Sequence, residues 1–324
     1  YYRGPVSDHY DGKRFHIPGK HFDDDSMSYI KWQLEADRQP WPDYTDLAKK
    51  DVPPPRVEGK KLRITSVGHT TFLIQTHGIN ILTDPVWSNR ASPFSWIGPR
   101  RVHPPGIDFK DLPKIDLVLV SHNHYDHLDL STIRKIWQRF KPKIIVPLGN
   151  DTIIKAYDPA IAVRVHDWGD QVKVNDQISV RLDPMHHWSA RGLFDRNRAL
   201  WAAYTITTPS GNIHFVGDSG YGGGHFFEQA KEKYKSFRLA ILPIGDYDPR
   251  WFMKYWHMTP EEALKGFELL GRPHVVPSHF NVFPLGDTGY GRPLARLTQA
   301  FQQVSGSKEK FIVLLPGQAR FIPE

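Results

Sequence analysis

Short runs of β-branched and aliphatic residues recur from Leu62 onward, set apart by glycine, proline and asparagine turn signals. The first three, at 62–67, 71–75 and 79–83, are so closely spaced that they predict antiparallel strands joined by turns. Further strands are expected at 115–120, 144–147, 178–182, 202–207, 213–216, 239–244, 274–277 and 311–315. Two segments carry helical periodicity instead. In 130–140, Leu130, Ile133, Ile136, Trp137 and Phe140 fall at helical spacing. In 259–270, Thr259 suits an N-cap, Pro260 the first helical position, and Glu262 completes a capping box. Many strands with interspersed helices predict an α/β or α+β sandwich with helices covering the sheet faces.

Residues 1–60 read differently. They are polar, aromatic and punctuated by Pro40, Pro42, Pro53, Pro54 and Pro55, with one helix-like stretch over 28–37. The simplest division is an arm, 1–60, laid over one catalytic domain, 61–324. Within the arm, Tyr29, Ile30, Trp32 and Leu34 either pack it onto the core or form a membrane-facing lid. No long basic amphipathic face accompanies them, which favours packing.

Composition narrows the classes. The chain has 324 residues, 40% of them hydrophobic and 13% aromatic, enough for a sizeable core and too much for wholesale disorder. Lysine and arginine exceed aspartate and glutamate by 42 to 35, which suits anionic partners or simply a soluble surface. Cysteine is absent, so disulfides and thiolate metal ligands are excluded, and either redox compartment is compatible. No apolar run approaches the roughly 18 residues needed to span a bilayer. The chain starts at Tyr1 rather than Met, so an upstream segment is expected to have been removed. A periplasmic or membrane-associated location stays open beside a cytoplasmic one.

The chemistry concentrates in Ser121-His122-Asn123-His124-Tyr125-Asp126-His127, between an apolar strand and the 130–140 helix. In such a loop His122 and His124 can turn toward one ion, and Asp126 and His127 toward a neighbour. Imidazole nitrogen and carboxylate oxygen suit zinc. Other expected strands also end in a His or Asp: Asp183-Pro184-Met185-His186-His187-Trp188, Gly217-Asp218-Ser219 and Ser278-His279-Phe280. Sheet proteins commonly gather site residues at such ends.

The H-x-H-x-D-H loop resembles the signature of the metallo-β-lactamase superfamily. Flanking segments resemble one branch, the N-acyl-phosphatidylethanolamine-hydrolysing phospholipase D and its bacterial relatives. They include Gly68-His69-Thr70-Thr71, Thr83-Asp84-Pro85-Val86, Gly98-Pro99-Arg100-Arg101, His187-Trp188, Gly217-Asp218-Ser219-Gly220-Tyr221 and Pro249-Arg250-Trp251-Phe252-Met253-Lys254-Tyr255. The likeness runs from about Leu62 to Phe283.

This resemblance implies an αββα sandwich of two mixed sheets with helices on the outer faces, and a dinuclear centre. One zinc would bind His122, His124 and His187; the second Asp126, His127 and His279, with Asp218 bridging. His187 is preferred to His186 because the family ligand directly precedes the tryptophan, here Trp188. Asp84 resembles the family's buried aspartate that supports the metal loop, although a turn before Pro85 explains it nearly as well. His257 has a counterpart beside the substrate in that branch, where it would stabilise the phosphate or assist the leaving group; a packing role is the other reading. Two zinc ions about 3.5–4 Å apart can share a water and lower its pKa, giving a bridging hydroxide that attacks phosphorus or a carbonyl carbon. Asp126 would hold the nucleophile's proton as well as ligate. Mixed occupancy by zinc with iron or manganese stays open.

The expected reaction is phosphodiester hydrolysis of an N-acyl phosphatidylethanolamine by a bacterial enzyme, releasing phosphatidic acid and an N-acyl ethanolamine. The alternative is a lactonase or other small-ester or phosphoester hydrolase on the same metals. Arg250, Trp251, Phe252, Lys254, Tyr255 and Trp256 would suit a lipid phosphodiester at the mouth of the site, or else a core-facing strand end. Expected partners are therefore a phospholipid or small phosphodiester and a membrane surface. Nucleic acid is not expected, since there is no accessory module and no long basic stripe. A homodimer is compatible with the sequence.

Overall fold

The computed structural model describes residues 1–19, 26–46, 49–303 and 308–324, and in it two β-sheets stack face to face. The first is built from β1 (Leu62–Gly68), β2 (Thr71–Thr76), β3 (Ile79–Thr83), β4 (Leu117–Leu119), β5 (Lys143–Pro147) and β6 (Arg164–His166). The second holds β7 (Gln171–Lys173), β8 (Ser179–Asp183), β9 (Ala203–Thr208), β10 (Gly211–Phe215), β11 (Leu239–Pro243) and β12 (His274–Ser278). A last strand, β13 (Ala319–Ile322), returns to the first sheet beside β1. The orders are β13-β1-β2-β3-β4-β5-β6 and β12-β11-β10-β9-β8-β7. Each sheet is mixed. The antiparallel β1–β2–β3 meander gives way to parallel β3–β4–β5–β6, and antiparallel β7–β8–β9–β10 to parallel β10–β11–β12.

Alternation along the strands sorts the apolar side chains into slabs. Leu117 and Leu119 of β4 meet Leu239 and Ile241 of β11 between the sheets, with Ile64, Ile74, Tyr204 and Phe215. Val118 faces the other way, as do Ala240 and Leu242. Helices cover those outer faces. On the first sheet lie α2 (Leu130–Phe140), through Ile133 and Ile136, and α3 (Asn150–Tyr157), through Ile154. On the second lie α4 (His225–Tyr234), α6 (Pro260–Leu269) and α7 (Arg292–Ala300), through Phe227, Phe267 and Leu297. The layers are therefore α, β, β, α. Burying each such Leu, Ile or Phe contributes roughly 1.5–3 kcal/mol, so this patterning dominates the choice of fold. The short α1 (Ser26–Glu35) and α5 (Arg250–Met253) contact each other. No helix among the described residues is long and apolar enough to cross a membrane.

Helix α2 has the bounds its periodicity predicts, and α6 is capped as expected. Thr259 accepts from the Glu262 N–H, and the Glu262 carboxylate accepts from the Thr259 N–H. The strand expected at 311–315 does not form. Phe311 makes one isolated bridge to Val275, and Phe311 and Leu314 reach two different core slabs without a ladder. Apolar burial there mimics a strand. The real edge strand, β13, is more exposed and so carries a weaker pattern.

Candidate metal centre

The strands set up the site because β4, β8, β10 and β12 all deliver their loops to one edge of the sandwich. The loop after β4 carries His122, His124, Asp126 and His127; those after β8, β10 and β12 carry His187, Asp218 and His279. Six of these seven residues are buried, and His124 is half-buried. Asp126 is the most open of the six, at 7% exposure.

His122, His124 and His187 form one group. The His122 Nε2 lies 2.8 Å from His124 Nδ1, and His187 Nε2 lies 3.3 Å from the same atom. The outer ring nitrogens decide what faces inward. Ser121 Oγ donates to Asp84 Oδ2 at 2.6 Å, so it accepts from His122 Nδ1 at 2.9 Å. His187 Nδ1 donates to the Trp256 carbonyl at 3.1 Å. Both Nε2 atoms are thus lone pairs converging on a third nitrogen, an arrangement that could hold a metal ion.

Asp126, His127 and His279 form the second group. His127 Nδ1 donates to Asp84 Oδ2 at 2.7 Å, which turns its Nε2 inward, 3.1 Å from Asp126 Oδ2. His279 Nε2 lies 3.4 Å from the same oxygen. Between the groups stands Asp218, whose Oδ2 is 3.0 Å from His279 Nε2, 3.1 Å from His127 Nε2, 3.7 Å from His187 Nε2 and 4.0 Å from His122 Nε2. The other Asp218 oxygen and His279 Nδ1 have no hydrogen-bond partner among the described residues.

Electrostatics point the same way. Burial disfavours a charged imidazole, and it pushes His124 and His187 down to about 3. At His279 burial is outweighed by Asp218 and Asp126, which push the pKa up to about 10. His127 is raised well above the usual imidazole range against the same burial, by Asp218, Asp126 and Asp84. Two buried carboxylates therefore demand positive charge at the second group, and protons supply it where a metal ion does not. Histidine and carboxylate donors at these spacings suit zinc and also iron or manganese.

Asp84 sits behind the loop at the end of β3, its oxygens accepting from the Ser121 N–H, the Ser121 hydroxyl and His127. His257 enters from the segment between α5 and α6. Its ring centroid is 5.3 Å from that of His187 and 5.2 Å from that of His279, and its Nδ1 is buried without a protein partner among the described residues. His186 turns away, its ring packed on Phe226 at 4.5 Å. Of the aromatic strip, Arg250 is tied to Glu262 and the His257 carbonyl, Phe252 stacks on Trp32, and Trp256 is buried; Trp251 and Tyr255 are exposed. In α1, Trp32 is buried while Tyr29, Ile30 and Leu34 are exposed.

Two residues of the centre carry no role in the sequence reading. His69, in the turn after β1, puts Nε2 2.8 Å from Asp126 Oδ2. Asp246 places Oδ2 3.9 Å from His257 Nε2, and burial pushes its pKa up to about 7. The Gly68-His69-Thr70-Thr71 motif held the signal for the first; nothing in the local pattern marks the second.

Known proteins are similar to this chain in sequence and fold. A family model described as a beta-lactamase superfamily domain covers residues 79–280. The N-acyl-phosphatidylethanolamine-hydrolyzing phospholipase D 1 of Caenorhabditis elegans is 37% identical over 235 residues, 70% of this chain and 65% of that one. The chain thus spans somewhat less than two-thirds of that relative's length. An uncharacterized Mycobacterium tuberculosis protein is 35% identical over 267 residues, 81% of this chain and 69% of the relative. Among solved structures, Igni18, a metallo hydrolase from Ignicoccus hospitalis, superposes with a TM-score of 0.60 at 23% identity, covering 82% of this chain and 99% of that one. At that identity the likeness speaks for the fold.

Proposed function

Because the chain belongs to the metallo-β-lactamase superfamily of metal-dependent hydrolases, we propose that it cleaves the phosphodiester bond of N-acyl-phosphatidylethanolamine-like lipids at a dinuclear zinc centre. The observation that carries the two-metal reading is the position of Asp218. One carboxylate oxygen stands within 4.0 Å of Nε2 atoms from both histidine groups, where it would bridge two ions. In this reading His122, His124 and His187 hold one ion, and Asp126, His127 and His279 the other. The substrate class is supported by the nematode relative's name and by the identity to it.

Zinc held there supplies a Lewis acid that acidifies water and neutralises charge building on a phosphoryl oxygen. The remaining work belongs to the chain. Asp126, the more open of the two carboxylates assigned to metal, takes the proton of the attacking water. His257 is kept neutral by burial, its pKa well below the usual range, so it donates one N–H to the phosphate or to the departing alkoxide. Water attack on phosphorus breaks the P–O bond to the ethanolamine side and releases phosphatidic acid and an N-acyl ethanolamine. Residues 1–60 act as an arm on the 61–324 catalytic domain; the burial of Tyr10, Phe15 and Ile17 in the outer core supports this. Residues 20–25 and 47–48 of that arm lie outside the described residues.

The test is hydrolysis of N-acyl phosphatidylethanolamine by zinc-loaded protein, read by mass spectrometry, with Asp218→Asn alongside. Phosphatidic acid from the wild type and none from the variant is the expected result. No lipid product from protein shown to carry zinc would remove the lipid substrate and direct attention to lactones and small phosphodiesters.

A further inference from the structure

His69 lies in the turn between β1 and β2, outside the seven residues assigned to metal, yet it lies against all three side chains that define the second group, its ring 5.4 Å from that of His127. Its Nε2 is 2.8 Å from Asp126 Oδ2, the oxygen that also faces His127 and His279. Its carbonyl accepts the His279 N–H at 3.1 Å, and its ring lies 4.1 Å from the His279 ring. The side chain is buried, and Phe283 braces the ring edge-on at 5.3 Å. The backbone is left-handed, with φ of 62°. A histidine held there stores strain that the surrounding structure must offset, a pattern that concentrates at functional sites.

We propose that His69 is the positioning residue of the second metal ion: it donates Nε2–H to Asp126 and seats the His279 backbone, and so sets how tightly that ion is held relative to the first. The donor role fits the chemistry better than direct ligation. As a donor at Nε2, the ring leaves only a bare Nδ1 lone pair buried without a partner among the described residues. As a ligand through Nε2, it would bury an unpaired N–H, the rarer and costlier defect. Among the described residues, no hydrogen bond or ring contact ties His69 to the His122, His124 and His187 group, so its influence falls on one ion only.

The inference rests on the two-metal reading and is independent of the substrate. Its test uses zinc and cobalt titrations of the full chain, with metal content by mass spectrometry and the cobalt absorption spectrum as readouts. His69→Asn tolerates a left-handed backbone but is too short to reach Asp126; His69→Gln reaches and can donate. We expect His69→Asn to hold its first ion normally and to weaken the second 10–100-fold, with His69→Gln regaining most of the loss. A His69→Asn protein that binds two ions as tightly as wild type overturns the role. Equal loss in both variants, with a changed cobalt spectrum, overturns it in favour of direct ligation. Wild type that takes up a single ion sinks the two-metal reading, and this inference with it. Should His69→Asn fail to fold, the His69→Gln titration and spectrum decide between donor and ligand.

Discussion

The His127 imidazole donates from Nδ1 to the Asp84 carboxylate across 2.7 Å, and neither side chain has any exposed surface. That one contact fixes the ring's orientation, and with it the direction in which Nε2 faces, before any ion arrives. Asp84 holds the Ser121 N–H and hydroxyl in the same grip, so it orients both ends of the loop, and through Ser121 also His122. Asp84→Asn keeps the volume but presents an amide where an acceptor is needed. We expect a 10–100-fold loss of metal affinity, read by chelator competition, with the fold retained. An unchanged chelator midpoint would show that the loop holds its own geometry.

His257 touches the site without belonging to either metal group as assigned. Removing it should therefore separate chemistry from metal binding. His257→Ala is expected to lower kcat by about 10²–10⁴-fold while zinc content stays at the wild-type level. If zinc content falls in step with kcat, His257 is a ligand, as its proximity to His187 and Asp218 allows.

Away from the site, His214 makes a prediction about acid stability. Burial lowers its pKa to about 4, with the Asp183 carboxylate opposing. Its Nδ1 donates to the Thr205 hydroxyl, which donates to Asp183 at 2.7 Å; either protonation state can make that bond, so it is burial that holds the ring neutral. The folded pKa lies below the ordinary 6.5, so the contribution is complete above pH 6.5 and is lost as pH falls toward 4. The shift, (6.5 − 4) × 1.36, corresponds to about 3 kcal/mol. His214→Gln should flatten the unfolding free energy over that window relative to wild type. Parallel curves for the two proteins would rule out His214 as the acid-labile group.

The sequence made some of this legible and hid the rest for identifiable reasons. Strands β1 to β3 and helix α2 were readable because alternation and helical spacing leave different marks. The loop from His122 to His127 was readable because clustered imidazoles have no packing purpose at the end of a core strand. The strand expected at 311–315 misled because Phe311 and Leu314 are buried by reaching two slabs, and burial without pairing looks like a strand in one dimension. Helices α3, α4 and α7 are short or interrupted by glycine and proline near their starts, which blurs their period. His69 and Asp246 escaped because their partners lie 57 and 11 positions away, and a lone His or Asp in a turn reads as turn chemistry.

The clustered side chains come from both sheets, with His122 to His127 supplied by the first and His187, Asp218 and His279 by the second. Read in order of synthesis, this gives the ribosome a schedule. The first sheet's contribution emerges early, but a nascent chain cannot close either histidine group until β8 has emerged, nor the second group until residue 279. The hydrogen-bonded edge of β1 waits longer still, for Ala319–Ile322. An incomplete chain therefore has a hand of ligands and no grasp. Assembly of the whole candidate centre thus waits until all four loops have been made, the last of them carrying His279.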